Sequence, residues 1–448
     1  MTMEIHDLVL KNAEVLVFDE SQNKVTRVAT NLAVTDGRIS AISNSAQLNG
    51  KIEKDLKNLT ILPGVIDSQV HFREPGFTHK EDLESGTRAA LLGGVTSIFE
   101  MPNTNPITTT TEAFQDKLDR AKGRAHCHYA FYIGGSSDNF FQLNTLENLP
   151  HCSGVKIFLG SSFGTLLVNN DQLLESILQN GKRRVIIHSE DEDRLNARKH
   201  IAIEMGHPKA HPIWRDEESA LISTKKAVHF ATKYNRPIHI LHVSSSEEMA
   251  FLKNHKDIAS VEMLPQYLTL SSPECYERLG TLAQQNPPIR DQRHMKFLWQ
   301  AMRDGTVDII GSDHAPHTLE EKNKPYPQSP SGVPGVQTLV PLMLDHVSKG
   351  QFSLEQFVTM VSENPRRLLQ VKNKGRIQVG FDADFTIVDL NKTMRISNSW
   401  IASKCGWTPY DGMIVKGWPT QVYLKGNLTM QDDTIIQPHR GEPVEFTI

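Results

Sequence analysis

The chain has 448 residues, with 48 Lys and Arg against 52 Asp and Glu, which gives a formal net charge of −4. This length allows one large barrel with a smaller accessory unit, and the weak acidic balance does not favour nucleic acid as a partner. There is no secretory signal pattern, no apolar run of membrane-spanning length and no paired spacing among the four cysteines. We therefore expect a cytoplasmic protein without disulfides or a membrane partner.

Both ends of the chain have the character of short β-strands. Within residues 1–60, apolar residues alternate with polar ones and the Asp36-Gly37 pair marks a hairpin turn. Residues after about 375 show the same alternation. We expect residues 1–60 and 375–448 to form one small composite β-sandwich beside a central unit of residues 61–374.

The central unit alternates short apolar runs with longer stretches of helical spacing, which is typical of βα units around a parallel sheet. Its predicted strands are Val65–His71, Val95–Met101, His128–Gly134, Val155–Leu159, Arg184–His188, Ile238–Val243, Val261–Leu264 and Val307–Ser312. Predicted helices include Glu81–Leu92, Glu112–Lys122, Asp171–Leu178, Glu217–Tyr234 and Ser246–Lys253. Eight strands close a TIM-type (β/α)8 barrel, and a doubly wound open sheet is the alternative.

One segment of the central unit resembles neither a strand nor a helix. Glu320–Pro334 is rich in Pro, Lys and Ser. This composition predicts a mobile loop over the mouth of the barrel.

Three predicted strands lead into metal-ligand residue types. His188 and His242 follow branched apolar runs, and Asp313 follows the last predicted strand. A single histidine at a strand end is more often a satisfied core residue, but two of them with an aspartate indicate metal ligation. Imidazole and carboxylate without thiolate favour a catalytic zinc ion over manganese, cobalt or iron.

Lys156 lies within the fourth predicted strand, where its side chain would be buried inside the barrel. An ammonium group buried beside a dication is costly, so the amine must be neutralised or chemically changed. Carbamylation by CO2 would convert it into a carboxylate able to bridge two metal ions. The alternative is a lysine whose stem is buried and whose charge reaches the rim.

The first strand of the barrel carries a second group of candidates. Gln69 and His71 are two residues apart on the strand, so their side chains point to the same side and would both approach the same metal. A glutamine amide is, however, a poorer zinc ligand than imidazole. Arg73 follows two residues later and can present its guanidinium fork to a substrate carboxylate. A surface ion pair is the alternative for this arginine.

Four further polar or glycine positions lie in predicted loops. Asn103 and Asn286 are typical turn residues and also candidates for substrate contacts. His317 either donates to a substrate anion or caps its own loop. Gly332 is first a turn residue, and its exposed backbone amide can face a ligand.

Several motifs taken together resemble those of the dihydroorotases, a family of the amidohydrolase superfamily. They are His71-Phe72-Arg73-Glu74-Pro75-Gly76, Met101-Pro102-Asn103-Thr104, Asn286-Pro287-Pro288-Ile289-Arg290, Ser312-Asp313-His314-Ala315-Pro316-His317 and Gly380-Phe381-Asp382-Ala383-Asp384. The resemblance spans nearly the whole chain. It implies reversible cyclisation of carbamoyl-aspartate to dihydroorotate in pyrimidine biosynthesis.

The resemblance also implies roles for single residues. Its implied ligands for one or two zinc ions are His71, Lys156 as carboxylysine, His188, His242 and Asp313, with Asp313 also acting as general acid and base. Its implied dihydroorotate contacts are Arg73, Asn103, Asn286 and His317, with the loop around Gly332 closing over the substrate. Two positions depart from the family pattern: Gln69 replaces a histidine, and Gln266-Tyr267 replaces a histidine pair.

Two rival interpretations stay open at this stage. The related hydantoinases and allantoinases share the metal ligands but need no group for a substrate carboxylate, so Arg73 and Asn103 favour dihydroorotase. Some chains that resemble dihydroorotase lack metal-binding histidines and serve as inactive partners of aspartate carbamoyltransferase, and Gln69 raises this possibility here. The resemblance further implies a homodimer.

Overall fold

The computed structural model describes residues 5–44, 48–57, 59–160 and 164–447. The N-terminal strands are β1 (Ile5–Asp19), β2 (Lys24–Thr35), β3 (Arg38–Ser43), β4 (Asn49–Asp55) and β5 (Thr60–Pro63). The next strands are β6 (Val65–Val70), β7 (Val95–Glu100), β8 (His128–Gly134), β9 (Cys152–Phe158), β10 (Val185–His188), β11 (Ile238–Ile240), β12 (Ala259–Met263) and β13 (Ile309–Ile310). The C-terminal strands are β14 (Phe385–Arg395), β15 (Ile414–Leu424), β16 (Asn427–Gln431) and β17 (Thr434–Ile435).

Helices follow the barrel strands and cover the outside of the sheet. They are α1 (Leu83–Leu92), α2 (Thr111–Ala121), α3 (Leu143–Leu146), α4 (Asp171–Gln179), α5 (Glu192–Met205), α6 (His211–Trp214), α7 (Glu217–Lys233), α8 (Ser246–Lys253), α9 (Pro265–Thr269), α10 (Glu274–Leu279), α11 (Gln292–Arg303), α12 (Leu319–Lys322), α13 (Leu339–Ser348), α14 (Leu354–Val358) and α15 (Asn364–Leu368). A π-helical turn, Thr359–Glu363, joins the last two. Short 3₁₀ turns lie at Phe140–Gln142, Gly164–Leu166, Pro208–Ala210, Gly280–Ala283 and Asn398–Trp400. Among the described residues, no helix is long and apolar enough to cross a membrane.

Strands β6 to β13 pair in sequence order as one parallel sheet. The first and last strands meet through a parallel bridge between Val70 and His314, where the backbone N–H of His71 donates to the carbonyl of His314 at 2.7 Å. The ring is therefore closed, and the predicted (β/α)8 barrel is confirmed. All eight predicted strands and the five predicted helices are present, with ends that differ by a few residues.

Both chain ends meet in one nine-stranded sheet beside the barrel. Strand β5 joins the two halves because it pairs in parallel with β1 and antiparallel with β14. Apolar side chains from both halves, including Leu10, Val15 and Phe385, form a second small core. The two ends therefore meet as predicted, and the β-sandwich expected from them is one shared sheet. The tail after β17 leaves this sheet, and the N–H of Val444 donates to the carbonyl of Tyr129 in barrel strand β8.

The segment Glu320–Pro334 is only in part the loop that its composition predicts. It begins within α12, and the buried ammonium of Lys322 donates to the carbonyls of Gln284, Pro330 and Gly332 at 2.9–3.1 Å. These bonds attach the segment to the rim of the barrel. It therefore forms part of the wall of the cavity described next.

Candidate active site

The C-terminal ends of the barrel strands surround one cavity. It is lined by Gln69, His71, Arg73, Asn103, Lys156, Phe158, His188, His242, Asn286, Asp313, Ala315, Ser331 and Gly332. Ten of these thirteen are the predicted site residues, and Phe158, Ala315 and Ser331 are additions. The remaining predicted residue, His317, lies behind Arg73 and does not line the cavity.

Strand register explains why Lys156 and His188 face the cavity together. In the β9–β10 pair, Lys156 is opposite Ile186 and Phe158 is opposite His188. Side chains two residues apart on a strand point to the same side, so Lys156, Phe158 and His188 share the inner face. The alternation of apolar residues in the sequence carries this information.

His242 and Asp313 lie just beyond their strands and have left-handed backbone conformations, with φ of 39° and 45°. Such conformations cost a non-glycine residue about 1–2 kcal/mol and persist where the surroundings hold them. The N–H of His242 donates to Oε1 of the buried Glu262 at 3.2 Å, which fixes this turn. The strand pattern alone does not predict the direction of either side chain.

His71 and Asp313 form the first pair of ligand-type residues. Nε2 of His71 lies 3.2 Å from Oδ1 of Asp313, and the amide nitrogen of Gln69 donates to the same oxygen at 3.0 Å. Nδ1 of His71 lies 2.8 Å from Oδ1 of Asn103, an acceptor, so Nδ1 carries the proton. The lone pair on Nε2 then faces the carboxylate, an arrangement that a cation between the two groups would stabilise.

His188 and His242 form the second pair. Nδ1 of His188 lies 3.0 Å from Nε2 of His242, and Nε2 of His188 lies 2.9 Å from Oε2 of Glu190. Since the carboxylate accepts, Nε2 of His188 carries its proton and Nδ1 presents a lone pair to the cavity. Burial lowers the pKa of both imidazoles, so both are neutral and able to bind metal.

Lys156 lies at the same cavity, and its Nζ is buried without a hydrogen-bond partner among the described residues. Burial lowers the pKa of this ammonium to about 7. In the part of the chain that the structure describes, no group of three or more His, Cys, Asp or Glu side chains is placed to hold a metal ion. Carbamylation of Lys156 would add an acidic ligand, which the sequence itself does not encode.

A cationic corner lies beside the two pairs. The Arg73 guanidinium donates to the carbonyl of Pro316 at 3.2 Å, and its other arm lies 3.3 Å from Nε2 of His317. Burial lowers the pKa of Arg73 only to about 10, so it stays charged at neutral pH. Gly332 lines this corner with φ of 142°, and a Cβ there would lie 2.4 Å from the carbonyl of Ala315. Only glycine fits this close approach.

Comparison with known protein families shows which family this chain belongs to. The model of the amidohydrolase family matches residues 60–429, which covers the barrel and most of the C-terminal strands. The chain belongs to the amidohydrolase family.

Relatives within this family are similar over almost their full lengths. A dihydroorotase from Pyrococcus abyssi is 35% identical over 417 residues, covering 92% of this chain and 94% of its own. A dihydroorotase from Methanosarcina acetivorans is 32% identical over 430 residues, covering 92% and 91%. Among solved structures, the L-hydantoinase (dihydropyrimidinase) from Arthrobacter aurescens superimposes with a TM-score of 0.92 at 27% identity, covering 98% of this chain and 100% of its own. The chain is thus a cyclic amidohydrolase.

The amidohydrolase site also contains a buried ion pair that the sequence did not reveal. Arg215 donates to both oxygens of Glu190, through Nε at 3.0 Å and through a second short contact from its terminal nitrogen. Burial alone would raise the pKa of Glu190, but Arg215 and His188 outweigh it and hold the pKa well below its usual value. Glu190 is therefore ionised and keeps His188 in one tautomer. Glu190 follows His188 by two residues, so strand alternation could have predicted that both side chains point to the same side.

Proposed function

We propose that this amidohydrolase is a dihydroorotase, which reversibly hydrolyses dihydroorotate to N-carbamoyl-L-aspartate. The observation that carries the proposal is the position of Arg73 in the same cavity as the histidine pairs. A half-buried guanidinium suits a carboxylate through two parallel hydrogen bonds. Dihydroorotate offers such a carboxylate next to the amide that is cleaved, and the similarity to curated dihydroorotases supports the same assignment.

We infer that the site holds one or two zinc ions. The residues that would hold them are His71, Lys156 as a carbamate, His188, His242 and Asp313, and the lone pairs on Nε2 of His71 and Nδ1 of His188 fit this use. Bound zinc would lower the pKa of water towards neutrality and polarise the ring carbonyl. Imidazole and carboxylate donors without thiolate suit a catalytic zinc ion.

Asp313 is proposed as the general acid and base. Its Oδ1 interacts with Gln69 and His71, which leaves Oδ2 to take the proton from the attacking water. The same oxygen then delivers the proton to the ring nitrogen as the carbon–nitrogen bond breaks. Gln69 orients Asp313 through its amide nitrogen, and its buried oxygen has no partner within the described residues. We expect that oxygen to be at most a weak metal ligand.

Three further residues are proposed to bind and orient the substrate. Asn103 and Asn286 line the cavity with amide groups, and Nε2 of His211 lies 2.9 Å from Oδ1 of Asn286. Gly332 offers backbone at the cationic corner, close to the His317 ring. Together with Arg73 they would hold the ring with its carboxylate against the guanidinium.

The test compares four substrates with the purified, zinc-loaded enzyme: dihydroorotate, dihydrouracil, hydantoin and allantoin. We expect the highest kcat/KM on dihydroorotate. In the Arg73→Met variant this value should fall at least about a hundredfold, as expected for an unpaired buried charge, while the three neutral substrates change little. Arg440→Met, at an exposed arginine remote from the cavity, is the matched control.

A hydantoinase is the second candidate, and the close superposition on the L-hydantoinase supports it. A higher kcat/KM on hydantoin than on dihydroorotate, unaffected by Arg73→Met, would establish it and refute dihydroorotase. A non-catalytic subunit for aspartate carbamoyltransferase predicts no turnover and less than one zinc per chain. The homodimer and the carbamoyltransferase association stay predictions, which light scattering of the chain alone and with that partner would test.

A further inference from the structure

A lysine that does not line the cavity contacts the cationic corner from behind. Nζ of Lys80 lies 3.1 Å from Nδ1 of His317 and 3.1 Å from Oε1 of Glu321. Its side chain is 16% exposed, so solvent competes weakly for these contacts. Among the described groups around it, Arg73 and Lys80 are the cations nearest the His317 ring, and Glu321 is the anion.

The contact with Lys80 determines which nitrogen of His317 carries the proton. An ammonium group only donates hydrogen bonds, so Nδ1 of His317 must accept. On the other side of the ring, Nε2 lies 3.0 Å from the carbonyl of Ser331, which only accepts. Both contacts require the same tautomer, with the proton on Nε2. The Arg73 guanidinium, 3.3 Å from Nε2, then makes a van der Waals contact with the ring and no hydrogen bond, because it too can only donate.

The backbone of His317 and the helix that follows it are also fixed by hydrogen bonds. The indole N–H of Trp407 donates to the His317 carbonyl at 2.8 Å, which fixes the backbone. Thr318 follows as the N-cap of α12, and the capping box places Glu321 beside Lys80. The Nε2–H of His317 is therefore directed towards Ser331, which lines the cavity next to Gly332.

We propose that Lys80 is a positioning residue for recognition of the substrate carboxylate: it holds the His317 ring against Arg73, with the Nε2–H of that ring bonded to the carbonyl of Ser331. This inference rests on the proposed dihydroorotase function, since it concerns the carboxylate of that substrate. The second positive charge behind His317 also favours an anion at this corner. Lys80 touches neither the reacting amide nor Asp313, so its effect should be on binding.

The experiment uses Lys80→Met, which removes the charge and the donor, and Lys80→Arg, which keeps both. Lys404→Met is the matched control, because Lys404 is bound to Asp82 and to the carbonyl of Thr78 in the same region without contacting His317. Steady-state kinetics on dihydroorotate and dihydrouracil give kcat and KM for each variant. Selective ¹⁵N labelling of histidine, with His317→Gln to assign the signals, reports the tautomer directly.

For Lys80→Met we expect KM for dihydroorotate to rise about tenfold, the size expected for one hydrogen bond to a charged group. We expect kcat to change less than about twofold, dihydrouracil kinetics to be unchanged and the His317 signals to move away from the Nε2–H form. Lys80→Arg should restore most of the affinity, and Lys404→Met should match the wild type. An unchanged KM, an equal loss on both substrates or an unchanged tautomer would overturn the inference.

The same kinetic data distinguish a failure of the Lys80 proposal from a failure of the proposed dihydroorotase function. If the wild-type enzyme shows no preference for dihydroorotate, the proposed function fails whatever Lys80 does. If that preference exists and Lys80→Met leaves it intact, only the role of Lys80 is refuted.

Discussion

Oε2 of Glu190 lies 2.9 Å from Nε2 of His188, and this contact decides which imidazole nitrogen faces the cavity. The carboxylate is ionised because Arg215 is bonded to it, so it accepts the Nε2 proton and leaves Nδ1 free to bind a cation. Such outer partners of ligand histidines fix ring orientation and basicity. One buried ion pair thus fixes the tautomer of His188, which the sequence shows only as a histidine after an apolar run.

Replacing Glu190 by Ala should therefore weaken metal binding, because His188 loses its orientation and tautomer. We expect a loss of about 10–100-fold in zinc affinity, measured by competition with a chromophoric chelator. Glu190→Gln retains the shape and should lose less. Glu204→Gln, at an exposed position on α5, serves as the control. Equal zinc affinity in Glu190→Ala and the wild type would remove Glu190 from this role.

Lys156 should carry a carbamate in the active enzyme. Because its amine is buried with no hydrogen-bond partner in the part of the chain that the structure describes, and its pKa is about 7, a neutral fraction is present near physiological pH and can react with CO2. Enzyme incubated with ¹³C-labelled bicarbonate and zinc should show a carbamate ¹³C signal that Lys156→Met lacks. In Lys156→Ala, short carboxylic acids should restore part of the lost activity. Full activity of Lys156→Met would contradict the assignment.

Substitution of Asp313 by Asn should abolish the proton transfer while keeping the side-chain volume. We expect kcat to fall by about 10²–10⁴-fold, the range for loss of a general acid or base. The thermal unfolding midpoint should change little, which separates chemistry from folding. Asp116→Asn, in an exposed ion pair on α2, is the comparison variant. A kcat within threefold of the wild type, a margin of about 0.7 kcal/mol, would exclude Asp313 from the role.

The sequence predicted the barrel because each strand is a short apolar run between longer helical patterns. It also predicted ten of the residues around the cavity, some from their positions in or directly after those runs and the others from loop motifs. Lys156 and His188 are inward because of strand alternation, which is a local property. The fold and the residues that line the cavity could therefore be predicted from local pattern and motif together.

Contacts between segments that are distant in the sequence could not be predicted from local patterns. Arg215 lies 25 residues beyond Glu190, and Lys80 lies 237 residues before His317, so no local periodicity links them. The left-handed φ of His242 and Asp313 also depends on the surrounding loops. The substrate contact that the resemblance implies for His317 stays a prediction; the contacts of its ring with Arg73, Lys80 and Ser331 could not be predicted from the motif.

A buried charge cluster outside the site makes a separate prediction about stability. Asp384 is 3% exposed and accepts from Nζ of Lys374 at 2.7 Å, with Nε2 of His128 3.2 Å away. Burial would raise the pKa of Asp384, but Lys374 and His128 outweigh it and hold the pKa far below its usual value. Asp384→Asn should reduce the free energy of unfolding at pH 7 by about 3–5 kcal/mol, because the partners stay buried.

The same depressed pKa fixes the direction of the pH dependence. The unfolded chain takes up a proton at Asp384 near pH 4, whereas the folded chain does so only in stronger acid. This contribution to stability is therefore present above about pH 4 and is lost as the pH falls. Denaturant unfolding of Asp384→Asn from pH 7 to pH 3 should show a shallower acid decline than the wild type. Parallel curves would refute the prediction.

The central claim is that side chains from separate strands of one barrel capture a divalent cation. The most direct measurement is anomalous diffraction at the zinc edge from crystals of metal-loaded, catalytically active enzyme. The account predicts a peak beside Nδ1 of His188 and Nε2 of His242, with density for a carbamate on Lys156. Active crystals with no anomalous peak within bonding distance of His71, His188, His242 or Asp313 would contradict it.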